Sequence, residues 1–243
     1  TKALEESNKG LEMARKLKDT SKVITMLNNL GIISAYLGNY QEQLDYALKV
    51  KDAVEFVKDS SMLSGAYHNL ANCYHNLGQY KKAVEAAGYS VFVNSLFIEK
   101  SMYINRAYAT LAQSFDGLRM RDSALHFYTI AIKESVRLND KYAEGTIYGY
   151  MCNLYAVMNR FGDMLKAAEK SLSLSKELQS RQMMASSLYN TAYAQFLNNN
   201  NKEAYKNIKE ALSIAIADSL RDELKNCYTV LSYIAARDGN YVT

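Results

Sequence analysis

Residues 69–83 read NLANCYHNLGQYKKA. Leu70 is followed by small Ala71, then by Tyr74, the Leu77-Gly78 pair, Tyr80 and Ala83. The pattern returns along the chain. With Leu70 as anchor, the equivalent positions are Leu30, Leu111, Met151, Thr191 and Leu231, at successive steps of 40, 41, 40, 40 and 40 residues. The residue after each anchor is small: Gly31, Ala71, Ala112, Cys152, Ala192 and Ser232. Eight residues past the anchors stand Gly38, Gly78, Arg119, Asn159, Asn199 and Gly239; ten past them come Tyr40, Tyr80, Arg121, Phe161, Asn201 and Tyr241. Thirteen past them, Ala83, Ala124 and Ala204 form a small-residue column interrupted by Gln43 and Met164. A constant period of this length is the signature of a repeat architecture.

The offsets have a mechanical meaning. An anchor and the residues one and four later share one face of a first helix. Glycine or asparagine eight residues on tolerates the left-handed conformation that ends a helix. The aromatic two residues later starts a second helix that folds back on the first, and the small columns let the two approach closely. Proline is absent from all 243 residues, which removes rigid turns and edge-strand stops and favours an all-α chain.

Composition narrows function. Twenty-nine basic and 25 acidic residues are mixed along the chain for a net charge of +4, so no basic patch predicts direct nucleic-acid binding. No run of eighteen apolar residues is present to span a membrane. Cys73, Cys152 and Cys227 are dispersed, which reads as small buried hydrophobes rather than a disulfide framework or metal cluster. No phosphate-binding loop, dinucleotide fingerprint, zinc-protease helix or nucleophile elbow occurs, and no acid–base pair converges. No enzyme activity, cofactor or metal is expected.

The Leu-Gly or Leu-Ala pair, the aromatics, the turn glycine and the second-helix alanine resemble the tetratricopeptide repeat, over essentially the whole chain. The period departs from the common 34 residues, and the closing proline is replaced by polar breaks such as KDTSK (18–22), NDKYA (139–143) and QSRQM (179–183). Longer repeats of this kind are similar to those of kinesin light chains and of bacterial transcriptional and signalling regulators. The resemblance implies an α-solenoid, a right-handed superhelix of antiparallel helix pairs. The pattern places a helix at 3–18, pairs at about 21–58, 61–98, 101–138, 141–178 and 181–217, and a final helix at about 220–238. The chain is thus expected to be one array, 1–243, excised from a longer protein, with its compartment unspecified. The resemblance further implies a scaffold that binds a protein or peptide partner in its concave groove, as the sensing part of a larger regulator. A structural spacer or homo-oligomerisation module is the alternative.

At 100° per residue, positions five and two before and two and five after each anchor point away from its packing face. They predict a free stripe on the first helices. Its candidate contacts are Asn28; His68, Asn72 and His75, with neighbouring Asn69; Arg106 and Gln113; Asn153; Tyr189 and Tyr193; and Tyr233. The amides match the donors and acceptors of a peptide main chain, and the tyrosines offer rigid contact area. Ala109 and Phe196 fall on the same stripe. His68 and His75 lie about 10.5 Å apart along a helix, too far to share one metal ion. Of the carboxylate clamp found in some tetratricopeptide domains, only Asn69 and Arg106 match, among Asn28, Ile32, Asn69, Arg106 and Thr110. Gly88 and the single 41-residue step predict a kink or π-bulge between Gly88 and Phe97.

Overall fold

A computed structural model of the chain describes residues 2–57, 60–96, 104–237 and 239. Among these residues there are twelve α-helices and no strand: α1 (Lys2–Lys16), α2 (Thr20–Tyr36), α3 (Tyr40–Val57), α4 (Ser60–Asn76), α5 (Tyr80–Ser95), α6 (Ile104–Gly117), α7 (Arg121–Arg137), α8 (Lys141–Val157), α9 (Phe161–Glu177), α10 (Arg181–Leu197), α11 (Asn201–Ala217) and α12 (Arg221–Arg237).

Nine of the helices end by one device. At Lys18, Gly38, Gly78, Arg119, Asn139, Asn159, Gln179, Asn199 and Ser219 the backbone turns left-handed, with φ between +51° and +76°. At each, that residue's N–H bonds the carbonyl three back, and the next N–H reaches five back, as Gly38 does to Ala35 and Asn39 to Ser34. This double bond satisfies the carbonyls a helix end leaves orphaned. The polar breaks supply the other end: Asp19 accepts from the Lys22 N–H and Asp140 from the Ala143 N–H, both at 3.0 Å. N-caps of this type satisfy the N–H groups that the start of the following helix leaves orphaned.

The chain forms two compact units, Thr1–Ala131 and Ile132–Thr243. In the first, α1 to α6 pack in sequence and α4 also packs on α6. In the second, α8 to α12 pack in sequence, while α8 meets α10 and α10 meets α12. Leading helices therefore lie side by side within a unit, each backed by its returning partner. The small columns sit where the partners touch: Ala71, Ala112, Cys152 and Ala192, like Ala83, Ala124 and Ala204, are fully buried. Cys152 Sγ lies 3.6 Å from the Met164 carbonyl, so one column faces the other directly. Leu11, Leu27, Leu30, Val50 and Val54 fill the first hairpins of the first unit. Leu188, Ile208, Ile214, Val230 and Ile234 fill the second unit. Each fully buried aliphatic of this size contributes about 1.5–3 kcal/mol by area burial.

The bulge expected from Gly88 is not found where α5 is described: the helix is uninterrupted α from Tyr80 to Ser95, and Phe97 lies outside the described residues. Ser90 and Ser171, each twenty residues past an anchor, donate to the carbonyls of Ser64 and Gly145, each six before one, both at 2.8 Å. The hairpin register is therefore intact through Ser90, and the added residue of the 41-residue step falls beyond it. No described helix is long and apolar enough to cross a membrane.

Candidate functional site

In the first unit the leading helices α2, α4 and α6 are joined by polar rungs. Asn69 on α4 donates through Nδ2 to Asn28 Oδ1 on α2 at 3.0 Å. One turn along, His68 and Asn72 of α4 meet Thr110 of α6 in a closed ring. Thr110 Oγ1 donates to Asn72 Oδ1 at 2.9 Å, Asn72 Nδ2 faces His68 Nε2 at 3.1 Å, and His68 Nδ1 faces Thr110 Oγ1 at 3.5 Å. Each member donates once and accepts once if the imidazole is neutral and carries its proton on Nδ1. Burial, with the Arg106 guanidinium nearby, pushes His68 down to about 4, which keeps it neutral. Asn72 thus spends part of its amide on holding α4 to α6. Arg106 is exposed and is, among the described residues, the only charged side chain lining a cleft of about 450 Å³ shared with Thr25, Asn28, His68 and Asn69. His75 is half-buried with its ring 5.4 Å from Tyr80; burial lowers its pKa and Asp116 opposes that shift. Gln113 is half-buried on α6.

In the second unit the leading helices are α8, α10 and α12. Tyr189 and Tyr193 of α10 stack at 6.2 Å between ring centroids, and Tyr193 lies 6.5 Å from Tyr233 of α12. Phe196 does not belong to the free face: it is 8% exposed, with the Arg237 guanidinium 3.6 Å above its ring. Ala109 is likewise buried. Phe196 lies five residues past its anchor, where Arg237 of the neighbouring leading helix covers a side chain that an isolated helix would expose.

A cleft of about 440 Å³ opens among α8, α10 and α12, within the roughly 300–1,000 Å³ of small-ligand pockets. Gly145, Gly149 and Ser187 are among the residues lining it, with Tyr142 and Tyr150 of α8, Tyr189 of α10, and Glu223 and Asn226 of α12. Asn153 is exposed within the same cleft. Sequence reasoning missed Tyr142, Asn190 and Glu223. Glu223 lies eight before its anchor, one turn beyond the stripe as drawn, and would have been found by extending it. Asn190 lies one before its anchor, a position shared with Asn69 and Thr110; in both of those the side chain reaches back to the preceding leading helix.

The chain matches no protein-family profile and no curated protein sequence. Solved structures do match. BtubC (BKLC) from P. vanneervenii superposes with a TM-score of 0.75 at 18% identity, over 90% of this chain and 91% of that one. The fold is that of tetratricopeptide-like repeat arrays. The apo quorum sensor NprR from B. thuringiensis gives a TM-score of 0.73 at 16% identity, over 97% of this chain and 66% of that one. The Rap conjugation gene regulator of plasmid pLS20, in complex with the Phr* peptide, gives 0.72 at 10% identity, over 92% of this chain and 66% of that one.

Proposed function

We propose that the chain is a protein–protein interaction scaffold whose leading helices bind a peptide segment, and that it serves as the sensing part of a larger bacterial regulator. The observation that carries the reading is the face left free by α8, α10 and α12, where a cleft of about 440 Å³ holds amides and tyrosines side by side in its lining. Amides pair with a peptide main chain in either direction, while Tyr189, Tyr193 and Tyr233 provide contact area at small entropic cost. Repeat arrays commonly bind on such faces. Two structures of the same fold add support, since one is named as a quorum sensor and another holds the Phr* peptide. The candidate contacts in the first unit are Asn28, His68, Asn69, Asn72, His75, Arg106 and Gln113; those in the second are Asn153, Tyr189, Tyr193 and Tyr233.

The test is calorimetric titration with peptides selected from a random library on the purified chain. Tyr193→Ala and Tyr233→Ala are expected to weaken binding at least roughly tenfold, as truncation of a central aromatic contact does. Tyr205→Ala, on α11 and 45% exposed, is expected to leave it unchanged. Selection of no peptide, or equal loss with all three variants, refutes the reading and favours a spacer or oligomerisation module.

A further inference from the structure

In the first unit two polar residues one before an anchor bond back to the residue two before the preceding anchor, or to its neighbours. Asn69 does so to Asn28, and Thr110 to the His68–Asn72 pair. Asn190 occupies the same position on α10, but its counterpart on α8 is Gly149. A Cβ built on Gly149 would stand 3.8 Å from Asn190 Nδ2, so the rung is aimed correctly and its partner is a hydrogen atom. Asn190 is 92% buried, from 8% exposure, lines the cleft, and its side chain makes no hydrogen bond among the described residues. The residue as a whole is buried, and its amide opens onto the cleft, where a ligand can supply the donor and acceptor that the neighbouring helix does not.

The same cleft carries one charge. Among the described residues Glu223 is the only acidic one in its lining, which holds no Lys, Arg or His. Its carboxylate accepts from the Ser186 hydroxyl at 3.0 Å, and no basic side chain pairs with it among the described residues. Tyr142, Tyr150 and Tyr189 share the lining, and aromatic rings attract cations.

We infer that the cleft among α8, α10 and α12 is a subsite for a basic residue of the bound peptide, its cationic head paired with Glu223 and its main-chain amide completing the Asn190 rung. This rests on the peptide-binding reading above and adds the sign of the charge it selects. A lysine or arginine side chain offers the cation, and the adjoining peptide group offers both the donor and the acceptor that Asn190 lacks. The first unit's Arg106 cleft carries the opposite sign and does not share this preference.

Three random heptapeptide pools that differ only in the fixed central residue, lysine, norleucine or glutamate, are passed over the immobilised chain, and retention is read by mass spectrometry. The lysine pool is expected to be retained at least roughly tenfold more than the norleucine pool, and more strongly at low than at high salt. Glu223→Gln is expected to abolish that preference while retaining some peptide. Gly149→Asn, which supplies the missing rung from within, is expected to lower retention of every pool with unchanged helicity. Equal retention of the lysine and norleucine pools, or a lysine preference that survives Glu223→Gln, overturns the inference and leaves peptide binding standing. Retention of none of the pools overturns both.

Discussion

The same substitution, glycine to alanine, should have opposite effects at two positions of the first unit about ten residues apart. Gly78 ends α4 with φ +70°, and Gly88 lies in the interior of α5; a Cβ on either meets nothing within 4 Å. Sterics are therefore removed and only the backbone differs. At Gly78 alanine must adopt the left-handed conformation, at roughly 1–2 kcal/mol, offset by the roughly 0.4–1 kcal/mol gained from a less flexible unfolded chain. The net loss is about 1 kcal/mol. At Gly88 alanine relieves the helical penalty of glycine and adds about 0.5–1 kcal/mol. With a urea m-value near 3 kcal/mol/M, the midpoint should fall by about 0.3 M for Gly78→Ala and rise by up to about 0.3 M for Gly88→Ala, followed by far-ultraviolet circular dichroism. Gly78→Asn should lie between Gly78→Ala and the parent, since asparagine tolerates the left-handed region. A neutral Gly78→Ala would mean the turn does not end α4 as described. A destabilising Gly88→Ala would mean that α5 is bent or covered there.

Two further outcomes follow from buried titratable groups. His68 is held near 4 against an ordinary value of 6.5, so between these values the unfolded chain binds the proton and the folded chain does not. Stability should therefore fall as pH drops from about 6.5 to about 4, by at most about 1.4 kcal/mol per pH unit; His75, lowered in the same direction by burial, adds to the slope. His68→Gln should flatten it in urea titrations across that range, and an unchanged slope would contradict the neutral His68–Asn72–Thr110 ring. Burial pushes the thiols of Cys73 and Cys152 up to about 12 and that of Cys227 to about 11, so a disulfide reagent at neutral pH should label all three only as the chain unfolds. Fast labelling of the folded protein would contradict the packing of the small columns.

The repeat was legible because its period is written in side chains whose bulk decides packing. Alanine or cysteine after the anchor, at 71, 112, 152 and 192, is where partners touch, and Gly38, Gly78, Asn159 and Asn199 are types that tolerate positive φ. Lys18, Arg119, Gln179 and Ser219 adopt the same turn and were not legible, since nothing in those residue types favours it. There the register of the flanking helices and their caps forces the conformation. The alternation of turns every twenty residues, as from Asn139 to Asn159 to Gln179, emerges only once these positions are seen. No π-bulge interrupts α5 from Gly88 to Ser95, where the open, half-exposed position of Gly88 places no steric demand on the helix; Phe97, at the end of the expected stretch, lies outside the described residues. On the free face, periodicity located the amides and tyrosines but treated each helix as isolated. It could not see that Asn72 is engaged by Thr110, that Phe196 lies under Arg237, or that Asn190 faces a glycine where other rungs have a partner.

The central claim is that the free face of the leading helices receives the peptide while the returning helices do not. Because the native thiols are buried, single reactive cysteines can be placed by Asn153→Cys on α8 and Tyr205→Cys on α11, and their alkylation rates measured with and without a saturating library-selected peptide. The account predicts that the peptide slows alkylation at residue 153 at least roughly tenfold, as burial of a contact residue excludes solvent, and leaves residue 205 unchanged. Protection at residue 205 with none at residue 153 would contradict it.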